Sequence, residues 1–232
     1  MTSRLPMFPL NTVLFPGLVL PLHVFEDRYR ALVRDLVSLP EDTPREFGVV
    51  ALQRGWETQT PPISGVSLDV DLNLHEIGCS AELRQVTELP DGRFHIVAVG
   101  RQRFRIATVD DQSTPYLQAE VEWLPEPTEH EHLADLLAPR VLAVFRQYLR
   151  LLRGEAQQFP EQLPENPTVL SHLVAATTAL SIDERQRLLA AADTAQRLQE
   201  ELRLLNREVA LLSRVRAVPA SLTEFAVPAS SN

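Results

Sequence analysis

Three groups of side chains in this sequence have types and spacings that could do chemistry. Asp69, Asp71, Asn73 and His75 alternate through VSLDVDLNLHEI and have the donor atoms of a divalent-cation site. A calcium loop needs a glycine turn at its sixth position and a bidentate glutamate at its twelfth. Those positions here are Leu74 and Ser80. The interleaved apolar residues demand a strand, which strings the polar groups out along a line. The segment therefore reads as a solvated strand face, with no metal. Arg101, Arg103 and Arg105 (RQRFR) share one strand face, roughly 7 Å apart, a spacing that would suit phosphates. Glu120 and Glu122 share a face of the Tyr116–Trp123 run, and cross-strand pairing with them is the reading that nearby acids favour. Cys79, between Gly78 and Ser80 and close to apolar strand positions, has no base at a defined spacing to activate it. It reads as a small buried residue.

Absent residue types exclude more. All 22 basic residues are arginine. Without lysine there is no P-loop cation, no Schiff-base amine and no Ser–Lys dyad. No G-x-S-x-G elbow or G-x-G-x-x-G turn occurs, and the six histidines offer no pair at helical i, i+4 spacing. The expectation is a protein that is not an enzyme and uses no cofactor. A net charge of −9 repels phosphate backbones and anionic membranes. The acids concentrate in residues 1–127, which hold 18 of them against 11 arginines. A single cysteine and the lack of a secretory signal pattern point to the cytoplasm. Leu5 to Leu22 carries no charge, but Pro6, Pro9, Pro16 and Pro21 break it as a membrane helix, so it reads as extended core chain.

The elements that position these groups divide into two textures. Up to about residue 125 the pattern is mostly period two. Phe47–Leu52, Val66–Ile77, Ala81–Leu89, Phe94–Val99, Phe104–Val109 and Tyr116–Trp123 read as strands, with Pro90-Asp91-Gly92 as a hairpin turn. One helix interrupts them, with Phe25, Tyr29, Leu32, Val33, Leu36 and Val37 at helical spacing. From about residue 128 the period becomes 3.6. Helices are expected over 129–152 (bent or divided at Pro139), 167–180, 182–191 and 194–215. Thr128/Glu131, Ser181/Glu184 and, more weakly, Asp193/Gln196 have capping-box spacing, and Asn166 precedes Pro167 as an N-cap. The fold class is α+β: a small β-barrel domain over 1–126, a helical bundle over 127–216 and a flexible tail over 217–232. In the last helix Leu198, Leu202, Leu205, Val209 and Leu212 form a stripe that reads as bundle core, with homodimerisation through this helix as the alternative.

The opening, LPMFPLNTVLFPG (Leu5–Gly17) and then LPLHVFEDRYR (Leu20–Arg30), closely resembles the start of the N-terminal substrate-binding domain of Lon proteases. The likeness continues through FGVV, IGCSAE, LPDGRF, VGRQRFR and PYL to LVAA and ERQRLL in the helical half, about residues 4–215 in all. The resemblance implies a PUA-like barrel followed by a helical bundle. In Lon proteases this domain helps capture unfolded or tagged protein segments. The leading expectation for this chain is a non-catalytic module that binds unfolded or exposed apolar protein segments, with a protease or chaperone as a further partner. The chain ends where a Lon protease would continue into its ATPase, so a stand-alone domain is expected. Much of the motif has a structural explanation: the prolines fix turns, Phe8 and Phe25 fill core, and Glu26 caps a helix or pairs with Arg30.

A peptide-binding surface is expected in a cleft between the two halves. Extended proline-rich segments at Asn11–Gly17 and Trp56–Pro62 leave backbone groups free there. The candidate contacts are Phe15, Pro16 and Trp56, with His23, Glu26 and Arg28 from the opening motif. The alternative function is RNA binding by a PUA-like fold through Arg101, Arg103 and Arg105.

Overall fold

Proline and glycine punctuate the first half of the chain into short extended runs, which form six strands among the described residues of the computed structural model. Residues 2–40, 42–53, 74–153 and 163–215 are described. The strands are β1 (Thr2–Leu10), β2 (Val19–Val24), β3 (Glu46–Ala51), β4 (Ile77–Glu88), β5 (Phe94–Asp110) and β6 (Gln118–Leu124). β1 runs parallel to β3, with Met7 opposite Gly48, and antiparallel to β6, with Leu5 opposite Ala119. The order is β2-β5-β4-β3-β1-β6, and β5 also pairs with β6, so the ladders return to β5. That return is possible because β5 is long enough to share one edge between β2, along Phe94–Val99, and β6, along Arg103–Asp110, while β4 pairs with its other edge from Phe94 to Arg105.

The hairpin between β4 and β5 turns at Gly92, whose φ of 78° suits a residue without Cβ. Its amide donates to the Leu89 carbonyl at 2.9 Å. Between β2 and β3 runs α1 (Asp27–Ser38), which buries Tyr29, Leu32, Val33 and Leu36 against the inner face of the sheet. Phe8 stacks on Tyr29 at 4.1 Å in the same core. Expected ion pairs here change partners. Glu26 contacts Arg28 at 2.7 Å and Arg30 turns to Asp27 at 2.9 Å; the Glu26 side chain makes no capping hydrogen bond. Phe25, expected in the core, is 61% exposed, because it sits in the turn before α1 on the outward side.

The second half is helical: α2 (Glu131–Arg153), α3 (Pro167–Thr177), α4 (Ile182–Leu189) and α5 (Thr194–Val215). Their starts follow the side chains that can accept from free N–H groups. Asn166 accepts from the Val169 amide, and Ser181 and Glu184 form both arms of a capping box. Asp193 accepts from the Gln196 amide at 2.8 Å. At Thr128 the Glu131 amide donates to the backbone carbonyl, in place of the expected side chain. α2 passes through Pro139 as one helix. The N-terminal ends of α2 and α5 meet where His130 lies 2.8 Å from Asp193. The α5 stripe is used within the chain: Leu198 and Leu205 are buried with Val141, Phe145 and Tyr148 of α2, and Leu202, Val209 and Leu212 pack around them.

Among the described residues the result is an α+β fold, a mixed sheet with five helices. Sheet and helices share a core in which Val13, Phe15 and Ala51 meet Ala175, Leu188, Leu189 and Leu204. Among the described residues no helix is long and apolar enough to cross a membrane. Trp56, the Asp69–Asn73 polar row and the 217–232 tail lie outside the described residues.

Candidate functional site

The joint between sheet and helices is built on one carboxylate. Glu126 follows β6 in the Pro125-Glu126-Pro127 stretch that carries the chain towards α2. Its Oε1 lies 2.9 Å from Arg103 of β5, 2.8 Å from Arg197 of α5 and 3.7 Å from His172 of α3. Burial by itself would raise the Glu126 carboxyl, but His172, Arg197 and Arg103 outweigh it and hold its pKa at about 2. The arginines are occupied beyond this pair. Arg103 Nη1 donates to the carbonyls of Leu189 (2.8 Å) and Ala191 (2.6 Å) at the end of α4. Arg197 donates to the Leu188 carbonyl and to Ser171 Oγ. Two guanidiniums on one carboxylate leave a positive excess, which the C-terminal carbonyls of α4 offset. The cluster is a clamp holding β5, the segment after β6, α3, α4 and α5 at fixed positions.

The arginine row is therefore not the surface face expected. Between Gly100 and Arg103, β5 has one residue more than β4 opposite it, a bulge at Arg101–Gln102. The extra residue puts Arg103 inside at 3% exposure, while Arg101 stays outside and pairs with Glu82 at 3.2 Å. Neither arginine pairs with Glu120 or Glu122; Arg105 lies opposite Glu122 in the ladder without an ion pair. Cys79 is fully buried, and burial pushes its thiol up to about 12, far from a reactive thiolate. Among the described residues no three His, Cys, Asp or Glu side chains gather as a metal site.

Over the clamp lies an open groove of about 280 Å³, lined by Pro16, Gly17, Gln102, Leu124, Pro125 and Val169 among others. Its lip is placed by the loop before β2. The Gly17 amide donates to the Gly100 carbonyl at 2.8 Å, and the Gly100 amide to the Leu18 carbonyl at 2.9 Å. A Cβ at Gly100 would run into the Phe15 carbonyl, so only glycine allows this approach. Pro16 lines the groove as expected. Phe15 does not: it is fully buried one residue earlier, 6.1 Å from the His172 ring, and offers no surface. Val169, on the first turn of α3, is 52% exposed at the opposite wall.

From this groove an apolar row runs along the outer face of β2 and β5. Leu20 and Leu22 point into the core, so Val19, Pro21 and His23 point out, beside Val99, Val97 and His95 of β5. The row ends at Phe25. Val19 is 62% exposed and Phe25 61%. His23 stacks edge-on against His95 at 4.8 Å and lies 6.1 Å from Phe25. Beyond Phe25 the Glu26–Arg28 pair forms a charged end, with Arg28 over the Tyr29 ring at 4.6 Å. The structure thus brings Pro16, His23, Glu26 and Arg28 onto one outer track. Glu126, Arg197 and His172 were not singled out from the sequence. No local pattern marks them, because they come from separate segments that meet only in the fold.

The comparisons agree with the resemblance seen in the opening motif. The family model of the ATP-dependent protease La (LON) substrate-binding domain matches residues 4–207. Lon protease 2 of Herpetosiphon aurantiacus is 32% identical over 217 residues, which is 91% of this chain and 24% of that protein. The Lon protease of Escherichia coli K12 is 26% identical over 212 residues, 90% of this chain and 25% of that one. The chain spans about a quarter of the length of the curated relatives it matches. Among solved structures, a Lon N-terminal domain protein from Xanthomonas campestris superposes with a TM-score of 0.56 at 24% identity, over 87% of this chain and 98% of that one. The N-terminal domain of Mycobacterium avium complex Lon protease gives 0.60 at 19% identity, over 90% and 98%. Both share this fold. With the match running from β1 into the body of α5, the chain belongs to the Lon protease substrate-binding domain family.

Proposed function

We propose that this chain is a non-catalytic protein-binding module that holds extended apolar segments of unfolded proteins along the outer β2–β5 track and into the groove beside Val169. The observation that carries this reading is the exposed row from Val19 to Phe25, leading to Pro16 and Val169. Single exposed apolar side chains are ordinary, whereas Val19, Pro21 and Phe25 aligned with an imidazole pair beside a groove mark a surface made to be covered. The family's description as a substrate-binding domain supports the same reading.

The edge of β2 sets the mode of capture. Leu18 bonds towards β5, so the odd residues of β2 turn their backbone groups to the edge that carries no strand among the described residues, and Pro21 has no N–H to give there. A client is held through its side chains more than by an added strand, which tolerates varied sequence. The ladder that returns to β5 supports a PUA-like barrel over residues 1–126, with 127–216 as a helical bundle clamped to it. Trp56 is kept as a further candidate contact. RNA binding loses its main support, because Arg103 is spent on Glu126 and on α4, and Arg101 on Glu82.

Anisotropy titration of a labelled, permanently unfolded protein at low and high salt tests this. Apolar capture keeps its affinity as salt rises, whereas phosphate contacts weaken steeply. Binding to RNA alone, lost at high salt, would overturn it.

A further inference from the structure

His23 and His95 are 72 positions apart in sequence, yet they face each other directly across the β2–β5 ladder. The Gly100-to-Leu18 bond fixes the alternation of that ladder, which makes His23/His95 one of its non-hydrogen-bonded pairs. In such pairs the side chains stand closest. Both side chains are exposed, and their ring centroids lie 4.8 Å apart. Metal–nitrogen bonds of about 2.0–2.1 Å place two imidazoles on one ion with centroids roughly 4.5–5 Å apart. Among the described residues neither ring has a hydrogen-bond partner, and a turn about χ2, cheap for an exposed ring, brings one nitrogen of each towards a common point.

We propose that His23 and His95 form a two-histidine site for a divalent transition-metal ion of the imidazole-preferring class. No third His, Cys, Asp or Glu joins them among the described residues, so water completes the shell. The site is an exchangeable one on the sheet surface, with Cu²⁺ bound more tightly than Ni²⁺ or Zn²⁺. It stands independently of peptide capture, though it lies in the middle of the same track.

Calorimetric titration of the untagged full chain with Cu²⁺, read alongside paramagnetic resonance of the bound ion, tests the proposal. The expected result is a site of unit stoichiometry with nitrogen coordination, weakened about a hundredfold in both His23→Ala and His95→Ala, as for a chelate losing one arm. His130→Ala serves as control and leaves the affinity unchanged. Equal affinity in the wild type and the two strand variants would overturn the site and leave the pair as an aromatic contact only. Loss in one strand variant but not the other would also overturn it.

Discussion

Arg103 and Glu126 meet 2.9 Å apart across the joint of sheet and helices, and Arg103 reaches that position only because β5 bulges just before it. One inserted residue converts an apparent surface arginine into the floor of a groove. The groove's geometry then depends on a buried charge cluster, so the clamp and the binding surface are linked through the same strand.

Removing the shared carboxylate leaves two guanidiniums facing each other. Glu126→Gln is expected to cost about 3 kcal/mol in urea unfolding, as for a broken buried pair. Glu82→Gln, whose partners Arg84 and Arg101 are half-exposed, costs at most about 1 kcal/mol. Equal losses in the two variants would contradict the clamp.

Acid titrates the clamp. The Glu126 pKa is depressed in the folded chain to about 2, from an ordinary 4.5. Its contribution is therefore complete above about pH 4.5 and is lost as pH falls towards 2. Stability measured from pH 5 to 2 should fall less steeply in Glu126→Gln than in the wild type. Parallel curves would assign the acid sensitivity elsewhere, for instance to Glu184, which Arg207 and Ser181 also hold at about 2 against its partial burial.

Glu201 behaves with the opposite sign. It is 1% exposed in α5, neither carboxylate oxygen has a partner among the described residues, and burial raises its pKa well above the usual range despite Arg197 nearby. Burial favours the protonated form in the folded chain, so its cost appears as pH rises above the ordinary glutamate value of 4.5. Glu201→Gln should be more stable than the wild type at pH 8, with the gain vanishing at pH 4. A gain independent of pH would point to packing instead.

Cys79 should resist thiol reagents in the native chain and react at a rate set by unfolding, because its thiol is enclosed and its pKa sits near 12. Following the reaction in increasing urea checks this. Fast labelling without denaturant would show an accessible thiolate.

Elements governed by local chemistry were legible in the sequence. Ser181 with Glu184, Asn166 before Pro167 and the Pro90–Gly92 turn act within a few residues, and each forms in the fold. The site depended on long-range pairing. Alternation places Arg101, Arg103 and Arg105 on one face until a bulge intervenes, and no local pattern marks a bulge formed against β4. Phe15 and Phe25 have the same side chain and similar proline-rich surroundings. The course of the loop towards Gly100 buries the first, and the turn into α1 exposes the second. His23 and His95 become neighbours only once β2 and β5 are paired.

The most direct measurement is the affinity of the Val19→Thr/Phe25→Ala double variant for a labelled, permanently unfolded protein, compared with the wild type at one salt concentration. Threonine keeps the β-branched shape at Val19, and Phe25 is too exposed to support the core, so the melting temperature should stay within about 2 °C. Affinity should fall at least tenfold, about 1.4 kcal/mol. Unchanged affinity at an unchanged melting temperature would contradict capture along the β2–β5 track.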